Sequence, residues 1–305
     1  MSLPSICEEL IGHARRCSRT ALSARRGRLS ALPYDFAMTA PAPSPYRQAV
    51  GPSVAPLRWL AGWWRIVFFG ASIVVLAISP SSWRRLTRQA LMRHVYLDTA
   101  PILWWFTALC ALLTLVITRI VIVTALSYGL SQYALEMVIR VLVLELIPLT
   151  AALFVALRCT IPNGAALAEM RRVGQFDALQ RQGVDPVVTL ALPRALAGVF
   201  ATLTLAALSC AVAMVLAYLA VYGWTSAGLA AYTHVFGRIF DGSVSLIFVL
   251  KTLFFSLAVS VIPMASGLYD VEGDGSRESA ALQGLVRMFA VLLVLEAVSL
   301  AGNYY

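Results

Sequence analysis

From residue 57 onward, long apolar runs alternate with short polar segments that carry arginine. The first run, 57–80, bears Trp59, Trp63, Trp64 and Arg65 at its front, and its unbroken apolar part extends only from Ile66 to Ile78. A span needs roughly 20 apolar residues. Aromatic and basic residues gathered at one end suit a helix lying in the membrane interface or re-entering it. This stretch is expected to be such an interfacial, elbow-like helix on the cytoplasmic side. Five spans are predicted after it, at about 100–126, 133–157, 187–221, 246–268 and 285–301. The third is long enough to tilt or to extend beyond the membrane.

Between the second and third spans lies a polar interruption, Arg158 to Asp185. Within it, Leu167, Met170, Val173, Phe176 and Leu179 recur at every third position, with polar and charged residues filling many of the positions between. That pattern predicts a short amphipathic helix. Gly183 and Asp185-Pro186 should end it, because proline disfavours helix at the residue before it. An ordinary surface helix and a docking helix for a soluble partner both fit the pattern.

Composition agrees with a membrane protein. The chain has 305 residues, 60% of them hydrophobic and only 13% charged, about half the roughly 25% of a soluble domain. No single soluble core hides that much apolar surface. The fold class predicted is therefore all-α and polytopic. The net charge of +9 raises the question of nucleic acid, but the arginines sit in short segments between apolar runs. That is the footprint of the positive-inside rule rather than of a groove-binding patch. The 81–98 segment holds four Arg and 158–194 holds five, whereas 127–135 holds none and 222–245 only Arg238. The N-terminus and the 158–186 segment should thus be cytoplasmic, and the C-terminus should lie on the far side.

Residues 1–56 differ from the rest, being rich in Arg, Ser, Ala and Pro, and read as a disordered basic cytoplasmic tail. An organellar transit peptide has a similar composition, and a translation start at Met38 would remove most of the segment. The five cysteines form no CxxC pair, and neither a disulfide framework nor a zinc site is suggested. His13, His94 and His234 stand alone, and neither HExxH nor GxSxG occurs. Asp270, Glu272 and Asp274 read as a solvated turn. A nucleotide-binding loop would need glycine just before Lys251 and again five residues earlier, but Leu250 and Ser245 stand there. No cofactor is expected on this chain. If ATP drives it, a partner subunit binds the ATP.

The interrupting segment resembles the cytoplasmic segment of the MlaE/YrbE permease family, which usually reads like MRVTEQIDALEVMGVDP with a Pro-Arg some residues later. This chain offers Met170-Arg171, Gln175, Asp177-Ala178-Leu179, Gly183-Val184-Asp185-Pro186 and Pro193-Arg194 in the same order and spacing. Residues 144–148, LELIP, partly match the family's RELGP, with Leu144 for Arg and Ile147 for Gly. Arg158, Lys251, Gly267-Leu268 and Glu296 match further positions, so the likeness covers about Trp59 to Gly302. Ala166 and Val173-Gly174 depart from the family's Glu and Thr-Glu.

The resemblance implies an inner-membrane permease of an ABC-type transporter that moves phospholipid between that membrane and an outer layer. It implies a second permease copy or paralogue as dimer partner, a cytoplasmic ATPase subunit and a ring of MCE-domain proteins. The coupling segment, 163–186, would meet the ATPase through Glu169, Met170, Arg171, Arg172, Gln175, Asp177, Leu179, Asp185 and Pro186. A degenerate permease with a structural or assembly role is the alternative. Charges within spans are costly, roughly 2.5–3.5 kcal/mol each on insertion scales, and so tend to face cavities or partners. Arg119, Tyr128, Glu136, Arg140 and Glu145 are the candidates for a lipid pathway. Glu136 and Arg140 lie four apart on one face and can also pair locally. Lys251 and Glu296 fall at similar depth on antiparallel spans and are expected to form a structural ion pair.

Overall fold

The computed structural model describes residues 55–80, 83, 85–129, 131–269 and 277–304. The tail assigned to residues 1–56 falls outside it except for its last two residues, and so does the turn at 270–274. Every regular element among the described residues is helical. Helix α1 spans Ala55–Ile78 and α2 spans Arg85–Ser127. Helix α3 covers 131–172 without a break, as Ser131–Val138, the π-helical Ile139–Leu146, Ile147–Val155, the π-helical Ala156–Thr160 and Ile161–Arg172. The short α4 is Gln175–Arg181. Helix α5 opens with the π-helical Val187–Ala191 and continues as Leu192–Tyr222. A single 3₁₀ turn, Ser226–Gly228, leads into α6, Leu229–Ile239. Helices α7, Gly242–Tyr269, and α8, Arg277–Tyr304, complete the chain.

Among the described residues, six helices are long and apolar enough to cross a membrane by length and composition, the five expected spans and the stretch expected to be interfacial. The last is α1, whose stretch Leu60–Ile78 has 19 residues. Counting from Ile66 made it short, yet Leu60–Arg65 belong to the same helix and lengthen it by more than a turn. The 81–98 segment, expected as a loop, is mostly the opening of α2. That helix has 43 residues, about 65 Å at the usual rise. It therefore outruns a hydrocarbon core of about 30 Å and can hold Arg88 and Arg93 beyond the apolar part. The 222–245 segment was read as a connection and contains α6. There the Tyr232 hydroxyl donates to Met214 O at 3.0 Å and ties α6 to α5; burial pushes this phenol's pKa up.

The polar interruption also differs from its expected shape. The helix that carries the second span runs on past Leu157 to Arg172, and the apolar positions 167–179 do not share one helix. Gly174, with φ of 80°, breaks the path after Val173. Leu167 is buried, while Val173 is 64% exposed. The period of three came from two helices joined by a left-handed turn. Alanine at Gly174 meets no neighbour but must adopt that left-handed conformation, at about 1–2 kcal/mol. Gly237→Ala, in α6, also meets open space and has no such penalty. We expect Gly174→Ala to lower, and Gly237→Ala to hold or raise, the unfolding midpoint in detergent.

Each wide turn precedes a proline, although Pro101 and Pro263 sit inside α2 and α7 without one. Each π-helical segment ends two residues before a proline, at Pro148, Pro162 and Pro193. A proline inside a helix removes one N–H and its ring crowds the carbonyl four residues back. A wider turn relieves the crowding without ending the helix. The prolines that look like breakers in the sequence thus mark helices that continue.

Helix α7 sits at the centre, packing against α8, α5, α1 and the last stretch of α3, while α2 packs along α5. The main core joins Phe69 and Ile73 of α1, Phe106 of α2, Val155 of α3, Leu205 of α5, Phe255 and Met264 of α7 and Met288 of α8. A second cluster joins Ile139 and Leu142 of α3 to Ala213 of α5 and Ile239 of α6. Alanine is the commonest residue on the buried face of α5, at Ala195, Ala197, Ala201, Ala206, Ala213 and Ala217. Small residues let helices approach closely where lipid supplies no hydrophobic push between them. Large apolar side chains point outward instead, Trp104 and Trp105 among them.

Candidate functional site

Three charged side chains converge where α3, α7 and α8 meet. Lys251 of α7 is 2% exposed at its side chain, Glu145 of α3 is 13% and Glu296 of α8 is 15%. The Lys251 ammonium pairs with Glu145 and donates to the Leu144 carbonyl at 3.3 Å. It lies 2.9 Å from Glu296 Oε2, close enough to pair though off line for a hydrogen bond. Asn303 Nδ2 reaches Glu145 Oε1 at 3.4 Å, and the Phe255 ring centroid lies 5.6 Å from the ammonium. Two carboxylates, one ammonium and one amide are thus drawn from three helices.

Local sequence sets this geometry. Pro148 has no N–H to offer the Leu144 carbonyl four residues back, and Lys251 donates to that carbonyl instead. The π-helical Ile139–Leu146 carries Glu145, and a widened turn shifts which face its residues present. The structure brings the expected partners Lys251 and Glu296 together and adds Glu145, which had been assigned to the lipid pathway alone.

The other pathway candidates lie elsewhere. A cavity of about 390 Å³ is lined by Ile120, Val121, Thr124 and Ala125 of the α2 end, by Tyr128 just past it, and by Tyr133 and Met137 of the α3 start. Its volume falls within the roughly 300–1,000 Å³ of small-molecule sites, and its lining is apolar enough for an acyl chain. Of the candidates, only Tyr128 lines it. Arg119, one residue before Ile120, is exposed. Glu136 precedes the lining residue Met137 and pairs with Arg140 at 3.0 Å.

At the opposite end, the coupling residues divide. Arg172 is 68% exposed at its side chain and stands 3.9 Å from Glu169. Gln175, Asp177 and Asp185 are exposed, and Asp185 Oδ1 accepts from Val187 N at 2.9 Å. Leu179 is half-buried and Pro186 buried. Met170 turns inward, its sulfur accepting from Arg194 Nη1 at 3.6 Å. Arg171 also turns inward, donating from Nη1 to Leu268 O at 2.5 Å.

Some contributors escaped the sequence. Asp98 of α2 accepts from Asn163 Nδ2 at 3.1 Å through Oδ2, and its backbone carbonyl accepts from Cys159 Sγ at 3.4 Å. Buried Arg194 of α5 lies nearby. Asp98 and Asn163 were available as polar residues flanking apolar runs, but no spacing rule links them across 65 positions. The chain matches the family described as Permease MlaE over residues 91–301, a range holding the charge cluster, the cavity and the coupling end. No curated protein matches it.

Proposed function

The chain belongs to the MlaE permease family, and from that premise we propose that it carries phospholipid across or out of the inner membrane as the permease subunit of an ABC-type transporter. As a permease it is a multi-pass transport subunit rather than an enzyme. A separate cytoplasmic ATPase supplies the energy and docks on the outward edge formed by Glu169, Arg172, Gln175, Asp177 and Asp185. A ring of MCE-domain protein takes the opposite end, and a second permease copy or paralogue completes the core.

One observation carries the reading. A single unbroken helix, α3, starts beside the apolar cavity, passes Glu145 at the charge cluster and ends two residues short of the coupling turn. A push at the coupling end therefore has a stiff path to groups suited to a lipid's tail and head. The cavity takes the acyl chain, with Tyr128 in its wall and Arg119, Glu136 and Arg140 close by in sequence as candidates for the head group.

Purification of the chain with its partners tests this. The complex should contain an ATPase, hydrolyse ATP faster when phospholipid is added and release phospholipid on mass spectrometry. A complex with neither ATPase nor lipid overturns the proposal. A complex holding the ATPase but no lipid assigns the chain an assembly role instead.

A further inference from the structure

Neighbouring residues on a helix point about 100° apart, so Arg171 and Arg172 cannot do the same work. Arg172 faces outward beside Glu169. Arg171 crosses to α7, where its guanidinium donates to Leu268 O at 2.5 Å and lies 5.9 Å from the Tyr269 ring centroid. Leu268 and Tyr269 are the last two described residues of α7.

This contact is one of several that join α3 to α7. Seven residues before Arg171, Gly164 meets the α7 backbone: an added methyl would fall 2.7 Å from Pro263 O. Farther along, Glu145 pairs with Lys251. The two helices are thus fastened at the charge cluster, along a backbone seam and at the coupling end. Past Val173 the chain turns at Gly174 into α4, so Arg171 is the last long cation on α3 that reaches another membrane helix before the turn.

We infer that Arg171 is a positioning residue rather than an ATPase contact. It ties the end of α3 to the end of α7, so that displacement of the coupling segment moves α7 and the Lys251 cluster with it. This rests on the ATPase-driven permease reading. It divides the coupling segment into an outward docking edge, with Arg172, and an inward link, Arg171.

The test uses the full complex with its ATPase, reconstituted in phospholipid vesicles, and compares Arg171→Ala, Arg171→Lys, Tyr269→Leu and Arg172→Ala. Two quantities are read: ATPase retained per permease, and the ratio of lipid-stimulated to basal hydrolysis. Arg171→Ala should retain the ATPase at the wild-type level while its stimulation ratio falls roughly 5-fold or more, the lower end of typical couplings between sites. Arg171→Lys should restore most of the ratio, since an ammonium still donates to Leu268 O. Tyr269→Leu leaves the hydrogen bond in place and should lower the ratio less; it serves as the link variant if Arg171→Ala does not fold. Arg172→Ala should lose ATPase. The inference is overturned if Arg171→Ala sheds the ATPase as Arg172→Ala does, or if neither link variant changes the ratio. A wild-type complex without ATPase would instead refute the permease reading.

Discussion

Methionine at Lys251 should destabilise the purified protein by about 3–5 kcal/mol, the usual loss when one partner of a buried ion pair is removed. Glu145 and Glu296 would then face each other across a buried space without their shared cation, and the Leu144 carbonyl would lose its donor. Glu296→Gln should cost less, because Glu145 and Lys251 remain paired. The triple change Lys251→Met, Glu145→Gln and Glu296→Gln should recover much of the loss, since it removes every charge at once and leaves amides that hydrogen-bond each other. Buried ion pairs replaced whole by neutral groups are often no worse than the original. Heating in detergent, followed by size exclusion, gives the ordering. Lys251→Met as stable as the wild type would show that the cluster does not hold the three helices together. The triple variant also separates fold from transport: if it folds and no longer stimulates hydrolysis with lipid, the charges act in the transport cycle as well.

Hydropathy alone gave the all-α class and the approximate place of every long helix from α2 onward, because runs of apolar residues near span length admit few other structures. Lys251 and Glu296, set at similar depth by helix rise and antiparallel order alone, stand 2.9 Å apart. Glu145 was assigned apart from them because its facing depends on the π-helical Ile139–Leu146, and no periodicity of 3.6 anticipates an inserted residue. Pro148, Pro162 and Pro193 could have served as the signal, as each marks a wide turn two residues earlier. The coupling segment was legible as a motif and misread as a shape. Val173-Gly174 is where it departs from the family pattern, and Gly174 is the residue that permits the break. The opposite facings of Arg171 and Arg172 depend on α7 lying beside only one of them, which a local sequence cannot encode.

Gly164 is the position where the smallest addition should do most harm. Its Cα faces α7 with no gap: a methyl there would fall 2.7 Å from Pro263 O and 3.1 Å from Pro263 C, and a methyl on Gly267 would fall 2.6 Å from Gly164 O. Both obstacles are backbone, so no side chain can swing aside. Gly164→Ala must push α3 and α7 apart, and overpacking of this kind costs typically 1–3 kcal/mol and occasionally more. Gly164→Leu should prevent the native packing altogether. Gly198 offers a graded comparison, because its methyl would meet the Ser260 hydroxyl and the Thr160 methyl at 2.7 and 2.9 Å, and side chains can yield. The expected order of unfolding midpoints in detergent is wild type above Gly198→Ala, above Gly164→Ala, above Gly164→Leu. The same seam lies between the Lys251 cluster and the Arg171 link. A Gly164→Ala protein that still folds should therefore also lose lipid stimulation of the ATPase while retaining that subunit, as separation of α3 from α7 breaks the path without touching the docking edge. If Gly164→Ala proves as stable as wild type and fully stimulated, the close contact of α3 with α7 is not what carries the coupling.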